Sequence, residues 1–550
     1  MSTRIRTGIE GLDTILGGGF LPYNSVLLKG APGTGKTSLG IQILLQGIGE
    51  EGEGAIVCSF EQFPQQLQRD MNSFGWDLDR LVADGKMHVF YVRPDDLVVP
   101  AGGAHSSLVS RVLEKTDEIG AKRLLMDSLS HFNRVNEDPI QCRSLILQFI
   151  NEVKAVGLTP LLTAELHDTG RREFSFEEYL VDEVVLLHND LATSGASLPQ
   201  RTLEVTKTRG HSHIRGRHPF TFTGKGIEVY PHILPEPFST DEMTERQFEP
   251  VPSGVDGVDR LLGGGYPSGT ASIIAGMSGA YKTTLAATFL AEGAGRGENG
   301  LFITFEENPQ QLIKTLARRG VDLASAVESG QVQIRHYVPK RTCLEKILAD
   351  LRPGLDNGSL RRVVIDSLDD FERCIEKPSA YKDYLGMFLA ALRRAGATTR
   401  LTLKLQQVSG TNPISDIRYV SMVETVVYLG NVEIESEIHR VISILKARGS
   451  RAEGDLREIQ CDAGGLKITH KFHGLSGILQ GTARGRFKKT VEDIFQPLYF
   501  IRDFAQLGAT GKVDDAKRQK ILADILSQLG ALDGALKDYF GFDPEEEKKK

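Results

Sequence analysis

The sequence predicts an α/β protein built twice over, with a helical extension at its end. Three observations carry that expectation. The segment TGIEGLDTILGGGF starting at Thr7 returns as SGVDGVDRLLGGGY starting at Ser253. Short β-rich apolar runs alternate with helical stretches in each copy. Each copy also sets a glycine-rich loop between an apolar run and a helical one.

The copies keep a nearly constant offset: 246 from Gly8 to Gly254 and from Gly30 to Gly276, 245 from Glu61 to Glu306, and 239 from Asp127 to Asp366. Such an offset marks duplication of a whole domain rather than a short-period solenoid. With 550 residues the chain exceeds one ordinary core. The expected division is residues 1–240, 241–475 and 476–550. The stretch PHILPEPFSTDEMTERQFEP at 231–250 has four prolines and neither strand nor helix periodicity, as a linker does.

Taken in order, SVLLKG, GAIVCSF, RLLMDSL, TPLLTAE and EVVLLH in the first copy read as buried strands of a parallel sheet. Their counterparts are ASIIAG, GLFITFE, RRVVIDSL, RLTLKLQ and TVVYLG. RTLEVTKTRG and HRVISILKARG each read as a further strand entering a basic turn. GGGF at Gly17–Phe20 and GGGY at Gly263–Tyr266 read as tight turns ahead of the glycine-rich loop. Near the end, RFKKTVEDIFQPLYFIRDFAQL and DDAKRQKILADILSQLGALDGALKDYF space apolar residues by three and four, giving two amphipathic helices. They are expected to dock on the protein's own assembly or to offer a surface to a protein partner. The closing EEEKKK reads as a solvated tail.

Composition excludes several classes. Hydrophobic residues make up 40% and charged residues 25%, which suits a soluble chain with substantial cores. Lys and Arg number 65 against 72 Asp and Glu, a net charge of -7, so nothing global attracts a nucleic acid. Cys58, Cys142, Cys343, Cys374 and Cys461 form no CxxC pair, which suggests neither a disulfide framework nor a zinc module and fits a reducing cytoplasm. The N-terminus lacks an apolar h-region and no run reaches about 20 apolar residues. Secretion and membrane insertion are therefore not expected.

The chemistry is concentrated at the loops. Gly30-Ala-Pro-Gly33-Thr34-Gly35-Lys36-Thr37, followed by Ser38, matches GxxxxGK[ST] between a strand and a helix. Glycines let backbone N–H groups approach phosphate oxygens, Lys36 brings a charge to the β and γ phosphates of ATP, and Thr37 offers a hydroxyl to Mg²⁺. The second copy reads Gly276-Met-Ser-Gly279-Ala-Tyr281-Lys282-Thr283, followed by Thr284. Tyr281 stands where the motif has glycine and is expected to crowd the phosphates or alter the loop's backbone. Asp127 and Asp366 end apolar strands, as carboxylates that order a Mg²⁺ shell do. Glu61 (followed by Gln62) and the pair Glu306 and Glu307 follow another strand on the side where open α/β sheets bind ligands. Glu61 and Glu306 are the candidate bases for an attacking water.

Together these features resemble the KaiC family within the RecA-like ATPases. The residues that carry the resemblance are the duplicated GLD...LGGG segments, the phosphate loops, the [ST]-F-E-[EQ] strand ends, the apolar-DS strands and the K-x-R-G turns, from residue 1 to about 470. The resemblance implies two stacked RecA-like domains in a double-ringed, hexameric homo-oligomer, with ATP at subunit boundaries and slow hydrolysis. In clock members it implies autophosphorylation of adjacent Ser and Thr residues in the second domain. By the same resemblance, Lys207, Arg209 and His213 form a basic turn that reaches a neighbour's γ-phosphate. Lys446 and Arg448 match that turn in the second half, with Ala452 at the position of His213. Alignment on NVEI (Asn431–Ile434) puts the Ser-Thr pair on Val420 and Ser421. One acceptor is then missing, Ser421 is the candidate phospho-acceptor, and an ordered two-site cycle is not expected.

The resulting expectation is a cytoplasmic Mg²⁺-dependent ATPase that hydrolyses ATP mainly in its first domain, the second being a weaker nucleotide site. The alternatives are a serine/threonine autokinase and signalling scaffold, a RecA-like DNA-associated ATPase, and a ring in which ATP is structural.

Overall fold

The computed structural model describes residues 4–97, 106–132, 138–166, 176–190, 200–232, 249–375, 381–405, 417–434, 437–448, 454–471, 475–476, 484–485, 496–503, 505–506 and 514–540. The linker at 233–248, Ala452 and the EEEKKK tail lie outside the described residues. The chain divides into two compact units, Met1–Glu236 with Cys343–Asp350, and Pro237–Thr342 with Leu351–Lys550.

The first unit is organised on nine strands: β1 (Val26–Gly30), β2 (Gly54–Ser59), β3 (Met87–Tyr91), β4 (Ala121–Asp127), β5 (Thr159–Glu165), β6 (Glu183–Asp190), β7 (Gln200–Lys207), β8 (Arg217–Thr223) and β9 (Gly226–Val229). They lie in the order β3-β2-β4-β5-β1-β6-β7-β8-β9. Strands from β3 to β6 are parallel, and β6 to β9 pair antiparallel. Every residue of β1 and β2 is buried, which is why these strands read as continuous apolar runs rather than alternating ones.

The second unit repeats the design. A short ribbon of β10 (Pro250–Val251) and β11 (Tyr266–Pro267) precedes β12 (Ala271–Gly276), β13 (Asn299–Thr304), β14 (Val332–His336), β15 (Leu360–Asp366), β16 (Thr398–Lys404), β17 (Thr425–Ile434), β18 (Glu437–Ala447), β19 (Arg457–Asp462) and β20 (Gly465–Lys471). Their order, β14-β13-β15-β16-β12-β17-β18-β19-β20, is that of the first sheet. Three strands of each sheet go beyond the sequence expectation: β3, β8 and β9, and their counterparts β14, β19 and β20. β3, β8, β14 and β19 mix buried with half-exposed or exposed residues, and β9 is four residues long, so these strands lack the apolar run that betrays a central one.

A buried arginine ties each phosphate-loop helix to its sheet. Arg123 donates to Glu53 (2.7 Å) and to the carbonyls of Arg6 and Ile43 (2.8 Å each). Arg362 repeats this with Glu298 and with the carbonyls of Pro252 (2.9 Å) and Phe289 (2.8 Å). Its ion pair and backbone bonds offset the desolvation of the buried charge.

Arg400 is compensated less, having no carboxylate partner. It stands where the first half has Leu161, fully buried, with its Cζ 3.3 Å above the Tyr266 ring and 4.4 Å from that of Phe289. Nη1 donates to Ser272 and to the Thr399 carbonyl, while Nε and Nη2 have no partner. Burial pushes its pKa down to about 9. An apolar side chain of similar length should be the better occupant, so Arg400→Met is expected to stabilise the second unit by about 1–3 kcal/mol. Chemical unfolding of the two proteins would show it; an earlier midpoint for the variant would contradict it.

In the tail, helix is found at 496–503 and over Asp515–Phe540, with Leu498, Leu522, Leu526 and Leu529 exposed. No helix among the described residues is long and apolar enough to cross a membrane.

Candidate functional site

The first candidate site lies at the C-terminal ends of the parallel strands. β1 runs between β5 and β6 and passes into the loop Gly30–Gly35, from which the helix Lys36–Glu50 departs. Gly33 and Gly35 take φ of +76 and +102, conformations that suit glycine. A Cβ on Gly35 would lie 2.4 Å from the Phe222 ring. Beside the loop is a cavity of about 410 Å³, walled by Lys36, Thr37, Ser38, Gln62, Phe74 and Phe222 among others. Lys36 Nζ folds back on the carbonyls of Gly30 (2.8 Å) and Ala31 (3.1 Å), and Thr34 donates to the Ala31 carbonyl. Burial lowers the Lys36 pKa, against the opposing pull of Asp127, Glu165 and Glu61.

Asp127 joins the loop to the sheet. It accepts from Thr37 Oγ1 at 2.7 Å and, on its other oxygen, from Thr163 Oγ1. A hydroxyl and a carboxylate held together are hard oxygen donors of the kind that share Mg²⁺ with a nucleotide's phosphates, so the residues fit the ion. No cluster of three His, Cys, Asp or Glu side chains suited to an all-protein metal site occurs among the described residues.

Glu61, just beyond β2, is exposed, but its carboxylate meets His131 Nε2 at 2.9 Å. His131 is buried and stacks on Phe60, with centroids 5.3 Å apart and planes 4° from parallel. The imidazole thus holds the carboxylate at the rim of the site. Sequence reasoning missed His131, because a lone histidine four residues past Asp127 carries no motif. It also missed Glu165, which pairs with Gly30 across the β5–β1 ladder and had a legible signal: like Asp127, it is an acid ending an apolar run.

The second site keeps the same frame. Thr283 Oγ1 donates to Asp366 Oδ2 at 2.7 Å, Thr402 bonds the other oxygen, and Lys282 Nζ reaches the Met277 carbonyl at 2.7 Å. Burial raises the Asp366 pKa and lowers that of Lys282. Gly276 and Gly279 take their places as in the first loop, and Thr284 accepts from Arg319 at 2.8 Å.

Of the two effects expected of Tyr281, an altered loop backbone is not found. Tyr281 caps the helix Lys282–Gly295 at φ +67 and ψ 18, the left-handed region that Gly35 occupies at φ +102 and ψ 20, so the backbone path is kept. Its ring takes the place of the Phe222 ring, because the second half has Cys461 at the position of Phe222. The arginine that lies 4.9 Å over Phe222 is Arg201, and its counterpart Arg440 lies 4.5 Å over Tyr281. The left-handed conformation costs a tyrosine roughly 1–2 kcal/mol, which this cation–π packing offsets in part.

Of the acids in this half, Glu306 is exposed and Glu307 half-buried. Burial raises the Glu307 pKa, with Asp366 adding to the effect. Asp370 stands at the position of His131 and bonds to Ser367 and Arg373.

The basic turns lie elsewhere. Lys207 pairs with Val184 near the start of β6, whereas Gly30 pairs with Leu187 further along it. The turn therefore leaves the sheet at the end opposite the phosphate loop, across roughly 10 Å of strand. Lys207 Nζ is committed to the carbonyls of Glu178 (2.7 Å) and Val181 (2.6 Å), and burial lowers its pKa. His213 bonds to Thr208, and His211 pairs with buried Glu183. Arg209 is exposed, with one contact to Asp182 at 3.2 Å. Lys446 repeats the role of Lys207 on the carbonyls of Val420 and Val423, and the Arg448 backbone N–H donates to the Glu424 carbonyl. Ser421 is exposed on a short 3₁₀ turn, Val420–Met422, at that same end of the second sheet.

The family model for the KaiC ATPase matches residues 5–233 and again 251–472. The circadian clock oscillator protein KaiC of Picosynechococcus sp. is 30% identical over 485 residues, covering 87% of this chain and 92% of that protein. The circadian clock protein KaiC3 of Synechocystis sp. is 29% identical over 497 residues, 89% of this chain and 96% of that one. KaiC of Synechococcus elongatus is 29% identical over 484 residues, with 87% and 91% covered.

Proposed function

The chain belongs to the KaiC ATPase family, and from that premise we propose that it is a Mg²⁺-dependent ATPase of a double-ringed homo-oligomer, hydrolysing ATP mainly in its first domain. The observation that carries this reading is an asymmetry between sites that share their phosphate-binding frame. Both halves have the loop lysine and the Thr–Asp pair, but in the first half a candidate base, Glu61, is held by a buried histidine, and in the second half Asp370 replaces that histidine.

In this reading Lys36 and the loop N–H groups bind the phosphates, and the Phe74 and Phe222 side of the cavity receives the nucleoside. Thr37 and Asp127 would hold Mg²⁺, which when bound supplies charge neutralisation on the β and γ phosphates. Glu61 orients the attacking water and takes its proton, with His131 fixing the carboxylate. A neighbour's Arg209 completes the site, Lys207 holding the turn that presents it.

Removing the loop lysine separates the halves. Lys36→Ala is expected to lower steady-state phosphate release at least about 100-fold, and Lys282→Ala by less than about threefold. Mass photometry with Mg-ATP would show whether each still assembles. The reverse pattern of turnover would move hydrolysis to the second domain.

A second reading, a serine/threonine autokinase with Ser421 as acceptor, is favoured by one observation. Ser421 is exposed at the sheet end where the Lys446 turn emerges, the end that a ring would turn toward a neighbour's nucleotide. Phosphate on Ser421 after incubation with ATP, absent in Glu306→Gln, would support it.

A further inference from the structure

The two phosphate loops differ most in charge at one strand end. Gly30 pairs with Glu165 on β5, and the Leu166 N–H donates to the Gly30 carbonyl at 3.1 Å. In the second half Gly276 pairs with Lys404 on β16, and the Leu405 N–H donates to the Gly276 carbonyl at 3.0 Å. The same strand pairing and backbone bond recur in both halves, yet an acid has become a base. Lys404 is exposed at the mouth of the loop.

Other exchanges around the loop point the same way. Asp70, which lines the first cavity, is matched by Thr315. Phe74, which lines it too, is matched by Arg319, whose guanidinium bonds Thr284 in the first turn of the loop helix. The acids gained by the second half are answered locally: Asp369 by Arg418 at 2.9 Å, Asp370 by Arg373 at 3.1 Å. Glu307 faces Arg319.

We propose that Lys404 is a ligand for the polyphosphate of a nucleotide in the second site, so that this site holds ATP or ADP without a divalent cation while the first site requires one. The physical reason is charge balance. In the first site Asp127, Glu165 and Glu61 all act on one lysine, so an incoming polyanion meets net repulsion until a cation neutralises it. In the second site Asp366, Asp369 and Glu306 act on Lys282 as three acids do on Lys36, but a second ammonium, that of Lys404, also lies within electrostatic reach of the loop lysine and of anything bound there. At separations of several ångströms near a surface, exchanging one such charge for its opposite is worth more than tenfold in binding.

The inference rests on the second loop being a nucleotide site, and the experiment separates the two claims. ATP binding by equilibrium dialysis would be measured with Mg²⁺ and with EDTA on full-length Lys36→Ala, which leaves only the second site, and on Lys282→Ala, which leaves only the first. EDTA is expected to weaken the second site by less than about threefold and the first by at least about 30-fold. Adding Lys404→Glu to Lys36→Ala should leave Mg-ATP binding within about tenfold and lower binding in EDTA at least about 30-fold, with Lys404→Gln between. Equal sensitivity of both sites to EDTA, or no change on Lys404→Glu, would overturn the inference. If Lys36→Ala bound no ATP even with Mg²⁺, the second-site reading itself would fall, and the inference with it.

Discussion

Arg209→Ala is expected to lower ATP turnover at least about 100-fold while leaving nucleotide binding to its own subunit intact. Arg209 leaves the first sheet at the end opposite Lys36 and Thr37, too far to serve the loop of its own chain. Its side chain is exposed, with one contact at 3.2 Å, so its reach outward costs little. A guanidinium brought to developing phosphate charge by a neighbour is among the largest single contributions in such chemistry. The decisive form of the test mixes subunits. Lys36→Ala subunits have a disabled loop and an intact turn, and Arg209→Ala subunits the reverse. In a ring assembled at random from equal amounts, about a quarter of interfaces join an intact loop to an intact turn. Turnover near that fraction of wild type would establish action across the boundary. Mixtures no more active than the separate variants would place the role of Arg209 within its own subunit.

How far these sites were legible in the sequence depends on whether a residue acts through a local pattern or through packing. The loops, the Thr37–Asp127 and Thr283–Asp366 pairs and the strands β1, β2 and β4–β7, with their counterparts β12, β13 and β15–β18, carry local signals: glycine spacing, apolar runs, a terminal acid. Tyr281 was legible as a departure but not as a solution, because its compensation lies 180 positions away at Cys461, and only the fold brings the two together. His131 and Lys404 were illegible for a related reason. Each acts on a residue from a different strand, Glu61 and Gly276 respectively, and no spacing in the chain encodes that register. The edge strands β3 and β14 were missed since their side chains are half in solvent, which removes the hydrophobic run.

The Glu61–His131 pair gives the second large effect. Glu61→Gln should lower phosphate release by about 10²–10⁴-fold with KM for ATP little changed, because the carboxylate is needed for the water and not for the nucleotide. His131→Ala is expected to cost about tenfold through kcat. The histidine does not reach the phosphates; it restrains a carboxylate whose side chain is 62% exposed and would otherwise sample many rotamers. A structural role alone predicts something different. Losing a buried ring that stacks on Phe60 would lower stability and leave the kcat of the folded fraction unchanged. His131→Gln distinguishes the two, since it loses the stacking yet keeps an amide donor for Glu61: recovery of kcat without recovery of stability identifies positioning, and recovery of neither identifies packing. In Glu61→Gln the histidine has no carboxylate left to hold, so adding His131→Ala to it should cost kcat nothing further. A full additional tenfold loss in that double variant would show that His131 acts by a route other than Glu61.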